Sequence, residues 1–336
     1  MANPITQEFL DGVRAVSFAN SAAIDAFFAA TGVSDGFIGW FNQVIANNDS
    51  WQGKAIPETA DCAARFKVFW DGASDIFGGA PNVVQFLCLM SIFVNEVGGD
   101  LLPIEERVGR PPQHPGIAYA FDSIAGLKHS YNTLAGNQTA FALFRDPAYR
   151  TSNSGKALAN RFPTPDSVSQ AWSGESWPAG FPTSTDPTQT GFLLEADFYK
   201  FRGRGLIQTT GRANYARLIG FVAAYTGSDP VLQRYSATWK GAAAEAIATT
   251  SSNDDWHQLF FSGTLELARA AIRLHNTASG NYLALAADDA AQLNGTGQGS
   301  VYRMGLRISG GSSYASLFQQ RVMQICDSLT GAGAQA

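Results

Sequence analysis

The stretch Ser91 to Gly99 reads SIFVNEVGG, so Glu96 closes an apolar run just before two glycines. A glutamate at the end of an apolar helix is partly desolvated, which raises its pKa and keeps it protonated as a general acid. The other reading of the same position is a helix-end glutamate pointing into solvent. A second stretch, Phe198 to Gly220, reads FYKFRGRGLIQTTGRANYARLIG and gathers Lys200, Arg202, Arg204 and Arg212 around Gly203, Gly205 and Gly211, with Gln208 in the middle. Glycines there let the backbone come close to a polar ligand, since a Cβ would hold the ligand away; a surface turn is the plainer alternative. The spacing fits neither GxxxxGK[ST] nor GxGxxG, so a phosphate cradle is not indicated.

The elements that must position these residues read as helices. From Pro4 to about Ala46 apolar side chains recur at helical spacing, first Phe9, Val13 and Val16, then Ile24, Phe27 and Phe28, then Phe37, Ile38, Phe41 and Ile45. The pattern predicts three helices, with Ser21 and Ser34 as N-caps. A fourth is expected over Glu58 to Asp71. A fifth, Asn82 to Glu96, is apolar almost all round and so reads as a buried central helix ended by Gly98 and Gly99. Leu101 to Asn137 and Asp146 to Thr190 turn to Pro, Gly, Ser and Thr, the texture of long loops. Trp172 and Trp177 in the second loop suit either sugar stacking or anchoring of the loop. Further helices are expected over Arg212 to Tyr225, Trp239 to Thr249, Gly263 to Asn276 and Gly311 to Leu329. No long period-2 pattern occurs, so the expected fold is mainly α with at most a small β-hairpin.

Composition narrows the function. The 336 residues are ample for a sizeable core, 45% are apolar, and only 15% are charged, with a net charge of −5. The isoelectric point near 5.4 and the mean hydropathy of −0.07 suit a soluble globular protein and argue against a nucleic-acid partner. Three widely spaced cysteines form neither a disulfide framework nor a metal-ligand spacing, and Cys88 reads as a core residue. His114, His129, His257 and His275 are scattered without H-x-x-H or H-E-x-x-H spacing, and no GxSxG elbow is present. The N-terminus lacks the basic start and apolar run of a Sec signal, and no 18-residue apolar stretch occurs. The expectation is a cytosolic product without stable membrane insertion, whose access to a cell wall needs outside help.

The run GRGLIQTTGRANY resembles the signature of the glycoside hydrolase family 19 chitinases and their lysozyme-like phage and bacterial relatives, and is more similar to the endolysin side than to the plant side. Through that resemblance Gln208 and Asn214 become candidates to hydrogen-bond the N-acetyl sugar, and Tyr215 to support the groove. The family carries a general acid in a His-Glu segment before Gly-Gly at the end of a buried helix; Asn95-Glu96-Val97-Gly98-Gly99 matches Glu96 to that acid, with Asn95 in place of the histidine. The second acid of lysozyme-like relatives follows about nine positions later, which matches Glu105, with Glu106 as the alternative base. A solvated charge cluster with Arg107 and Arg110 is the other reading of these two acids. Near the C-terminus YRMGLRISGG resembles the family's R-I-N-G-G segment, with Ser309 for asparagine, and implies that Arg307 lies at the groove floor beside a catalytic carboxylate.

The matched blocks, Val83 to Arg110, Glu195 to Gly220 and Leu265 to Leu329, occur in family order. They imply a two-lobed lysozyme-like domain over 81–330 with a loop insertion at about 146–190, preceded by a helical extension over 1–80. The implied activity is an inverting cleavage of β-1,4 bonds in peptidoglycan, without a metal or organic cofactor. Chitin is the alternative substrate, and an inactive structural or sugar-binding component of a phage or injection particle is the alternative role. Release by a holin, docking in a virion and injection all fit such a chain.

Overall fold

A computed structural model describes residues 3–105, 108–110, 114–116, 201, 203–295 and 297–333, with the backbone alone at 108–110, 114–116, 212–213, 245, 249, 253 and 331–333. Glu106, Lys200, Arg202, Trp172, Trp177 and the expected loop at 146–190 lie outside the described residues. The described fold is mainly α, and its strands are limited to two short antiparallel pairs. The chain divides into two units, Met1–Pro103 with Thr264–Ala336, and Ile104–Gly263. Residues 1–80 thus share a unit with the Glu96 helix, and neither boundary falls at residue 80. No helix among the described residues is long and apolar enough to cross a membrane.

In the first unit the helix Val83–Val97 is the centre. Asn82 caps it by a capping box with Gln85, and every residue from Val83 to Val94 is buried. Phe86 carries the main aromatic cluster, with its ring centroid 4.8 Å from Phe37 and 4.7 Å from Trp70. The helices Gln7–Val13, Ser21–Ala29 and Phe37–Trp40, the last running into a π-helical turn over Phe41–Ile45, fall where the apolar spacing predicts them.

The caps differ from the sequence expectation. Asn20, not Ser21, takes the free N–H of Ala23 at 2.9 Å, while the Ser21 hydroxyl donates to Asp71 at 2.7 Å. Ser34 donates to the carbonyl of Gly36, and Phe37 N–H finds the Asp25 carboxylate at 3.0 Å instead. All three cysteines are free and buried.

In the second unit the strand Ile104–Glu105 pairs antiparallel with Arg204–Gly205, in the register Ile104 with Gly205 and Glu105 with Arg204. A separate hairpin joins Val108–Arg110 to His114–Gly116. The helices Arg212–Ala223, Pro230–Trp239, Ala244–Thr250 and Asn253–Phe261 follow. Tyr215 and Trp256 are fully buried there, with centroids 4.6 Å apart.

Candidate active site

Each unit holds one of the two described candidate acids. Glu105 is fixed by its strand pairing, because the partner residue in register is Arg204. The Arg204 side chain is fully buried, donates from Nε to Glu105 Oε2 at 3.1 Å, and donates from Nη1 to Tyr215 Oη at 3.0 Å. A buried guanidinium needs both charge compensation and hydrogen-bond acceptors, and these two partners supply both kinds. Tyr215 in turn is walled by Phe201, Trp256 and Phe260. The Glu105 carboxylate is 30% exposed, and His257 Nδ1 stands 3.7 Å from it.

The GRGLIQ segment makes this anchorage possible. Arg204 and Thr209 exchange backbone hydrogen bonds of 3.1 and 2.8 Å, closing a tight turn over Gly205 to Gln208. Glycine is required in it for reasons of the protein's own packing. A Cβ on Gly203 would come within 2.6 Å of Gln208 Oε1. Gly205 has φ +95°, and a Cβ there would lie 3.1 Å from the Phe260 ring. These two glycines make room for neighbouring side chains of the same chain.

Gln208 itself sits at φ 53°, a left-handed conformation that non-glycine residues rarely adopt. Its Nε2 is buried without a hydrogen-bond partner among the described residues. A strained residue carrying an unsatisfied donor is a place where an incoming acceptor would be favoured. Asn214 has both ends of its amide engaged inside the protein, donating to Thr210 O at 2.9 Å and accepting from Arg217. It stiffens the start of the helix Arg212–Ala223, whose N-terminal Gly211 offers no side-chain cap.

Glu96, half-buried in the last turn of Val83–Val97, has different surroundings. The buried Tyr314 hydroxyl faces Glu96 and Asn95 but makes no hydrogen bond of good geometry. Burial first, and then the charge and hydrogen-bonding pull of Glu96, push the Tyr314 phenol well up, while Asn95 and Arg321 oppose. Arg321 donates to Asn95 Oδ1 and, at 2.6 Å, to Ser50 O, with its guanidinium 5.0 Å from the Trp51 ring centroid. Burial lowers the Arg321 pKa, with Tyr314 opposing. Asn95 is therefore held by a cation on one side and leaves its Nδ2 buried and, among the described residues, unpartnered on the other.

Arg307 is exposed on the helix Ser300–Ser309, one of ten residues lining a cleft in the first unit. No ion pair joins it to an acid among the described residues.

Sequence reasoning misses His257, Tyr314 and Arg321. The signal available for His257 is its place in the aromatic-rich helix Asn253–Phe261, opened by the capping box of Ser252 with Asp255. That signal predicts the helix but not the distant strand it meets. Among the described residues no three His, Cys, Asp or Glu side chains gather in a group that could hold a metal.

Compared with known protein families, curated proteins and solved structures, the chain matches none.

Proposed function

We propose that this chain is a glycoside hydrolase that cleaves β-1,4 bonds of peptidoglycan, with Glu96 as general acid and Glu105 as general base. Glu96 gives its proton to the oxygen leaving the scissile bond. Glu105 takes one from a water whose oxygen bonds to the anomeric carbon from the opposite face, so that water adds across the bond with inversion. Gln208, Asn214 and Arg307 hold the sugar, and Tyr215 supports the site through Arg204. Such an enzyme reaches the wall after holin-dependent release, on a virion or by injection.

One juxtaposition carries this reading: Glu105 and the GRGLIQ turn, matched as separate blocks of the sequence, meet as paired strands 99 residues apart along the chain. A second reading, a non-catalytic sugar-binding descendant, draws on the tie between Asn95 and Arg321 beside the acid.

The test is digestion of purified sacculi, followed by turbidity and by new reducing ends, with chitin oligomers in parallel and Glu96→Gln as control. Release of muropeptides that the variant abolishes is the expected result. Near-wild-type turnover by Glu96→Gln sinks the assignment of the acid, cleavage of chitin alone replaces the substrate, and silence on both polymers replaces the hydrolase by the binding reading.

A further inference from the structure

A cleft of about 300 Å³ lies in the first unit, lined by residues of the turn after the helix Glu266–Ala278 and of the helix Ser300–Ser309. Its volume is at the lower end for small-molecule sites. The turn side is rigidly built. Gly280 and Asn281 both take left-handed backbone, at φ 85° and 53°, and reverse the chain. Asn276 then receives Leu283 N–H at 2.8 Å, Gln85 of the central helix donates to Leu283 O at 2.8 Å, and His275 Nδ1 and Tyr282 Oη share a 2.9 Å hydrogen bond. The cleft does not have to be assembled by its ligand.

The lining is chemically lopsided. Arg303 and Arg307 stand one helical turn apart on the same face, both exposed, and neither makes an ion pair among the described residues. Like charges at this spacing weaken a helix by a few tenths of a kcal/mol. Ser300 Oγ accepts from Arg303 Nη2 at 3.1 Å and steadies that guanidinium. Asp288 is the single acid in the lining, leaving one net positive charge, and the exposed Asn281 lines the same cleft. Tyr282 and Leu285 add buried apolar surface. Two guanidinium forks suit a carboxylate, while Asp288 and Asn281 suit amide or hydroxyl groups of the same molecule.

We propose that this cleft binds the free carboxylate of a peptide-bearing muramic sugar, so that Arg303 and Arg307 select peptidoglycan over neutral chitin. The proposal rests on the peptidoglycan reading above and extends it from the bond cleaved to the side group recognised. Chitin oligomers carry no charge to answer the two arginines.

Titration calorimetry of the full chain with muramyl dipeptide, a chitin trimer and inorganic phosphate tests it. Muramyl dipeptide has a free carboxylate and no glycosidic bond between sugars, so its binding is read independently of hydrolysis. The dipeptide is expected to bind, with Arg303→Gln and Arg307→Gln each weakening it about tenfold, the scale of one charge-assisted hydrogen bond. Added salt lowers the affinity. Unchanged affinity in the double variant, or chitin trimer binding with the same dependence on the arginines, overturns the proposal. Phosphate binding while the dipeptide is silent makes the cleft a simple anion site and overturns it too. If the dipeptide fails to bind while sacculi are still cleaved, only this inference falls; if it binds and no polymer is cleaved, only the hydrolase reading falls.

Discussion

Around Glu96 stand a phenol, an amide and, beyond the amide, the partly desolvated Arg321, whereas at Glu105 a fully buried guanidinium sits directly on the carboxylate. The first arrangement leaves two buried donors, Asn95 Nδ2 and Tyr314 Oη, without a well-formed hydrogen bond among the described residues, and the second ties Glu105 into the packing through Arg204 and Tyr215. The contrast teaches that two acids proposed for one reaction need not be equally separable from the fold. Glu96 can lose its charge with little structural consequence; Glu105 is one end of a buried electrostatic link.

The largest effect expected from this contrast is that of Arg204→Ala. Removing a fully buried cation that serves both Glu105 and Tyr215 costs about 3–5 kcal/mol in urea denaturation, while Glu96→Gln costs under about 1 kcal/mol. Hydrogen exchange read by unit sharpens the comparison: faster exchange in Arg204→Ala is expected within 104–263 and not in the helix Val83–Val97. Equal costs for the two substitutions would end the distinction between the acids.

Gly205→Ala is expected to have an intermediate effect, about 1–3 kcal/mol. Its φ of +95° strains any Cβ and the Phe260 ring stands 3.1 Å from where the Cβ would lie. The loss shows in the same denaturation curves, and a neutral result would mean that the turn beneath Arg204 is not held as tightly as the pairing with Thr209 implies.

The smallest effect is in the pH dependence of stability, and it separates two carboxylates of the first unit. For Asp71, burial works upward but hydrogen bonds from Lys67 and Ser21 outweigh it, so its pKa lies below the ordinary 3.8. Its contribution is present above that value and is lost as pH falls through the lowered one. For Asp25, burial outweighs the Phe37 hydrogen bond and raises the pKa above 3.8, so its contribution is present at lower pH and fades as pH rises through the raised value. Ser21→Ala should therefore flatten the loss of stability on acidification below about pH 4, while Asp25→Asn should remove a gain in stability on acidification just above that range, read as urea midpoints against pH.

The mainly helical class was legible because 3.6-residue periodicity is a local property, and it is clear in Phe9 to Ile45 and again in the run before Glu96. Three further helices follow signals of the same local kind that the sequence reading passes over. Asp229 caps a helix with Pro230 at its first position, Ser252 forms a capping box with Asp255, and Ser300–Ser309 ends on left-handed Gly310. The Ser21 error has a local cause as well: Asn20 and Ser21 are both good caps, and the choice between them depended on Asp71, fifty residues away, which takes the serine hydroxyl.

The sequence by itself determined the helices, the burial of the run Val83 to Val94 and the position of Glu96 at its end, since spacing, capping and the apolar run act over a few residues. Only the tertiary structure decided that Arg204 is buried against Glu105, that Gly203 and Gly205 serve Gln208 and Phe260, that Asn95 is held by Arg321, and that Arg303 and Arg307 border one cleft with Asp288. Each of these is a meeting of side chains that are distant along the chain or placed by a turn. Whether a charge meets its partner or a donor goes unpaired depends on three-dimensional distance, which no local pattern of residues records.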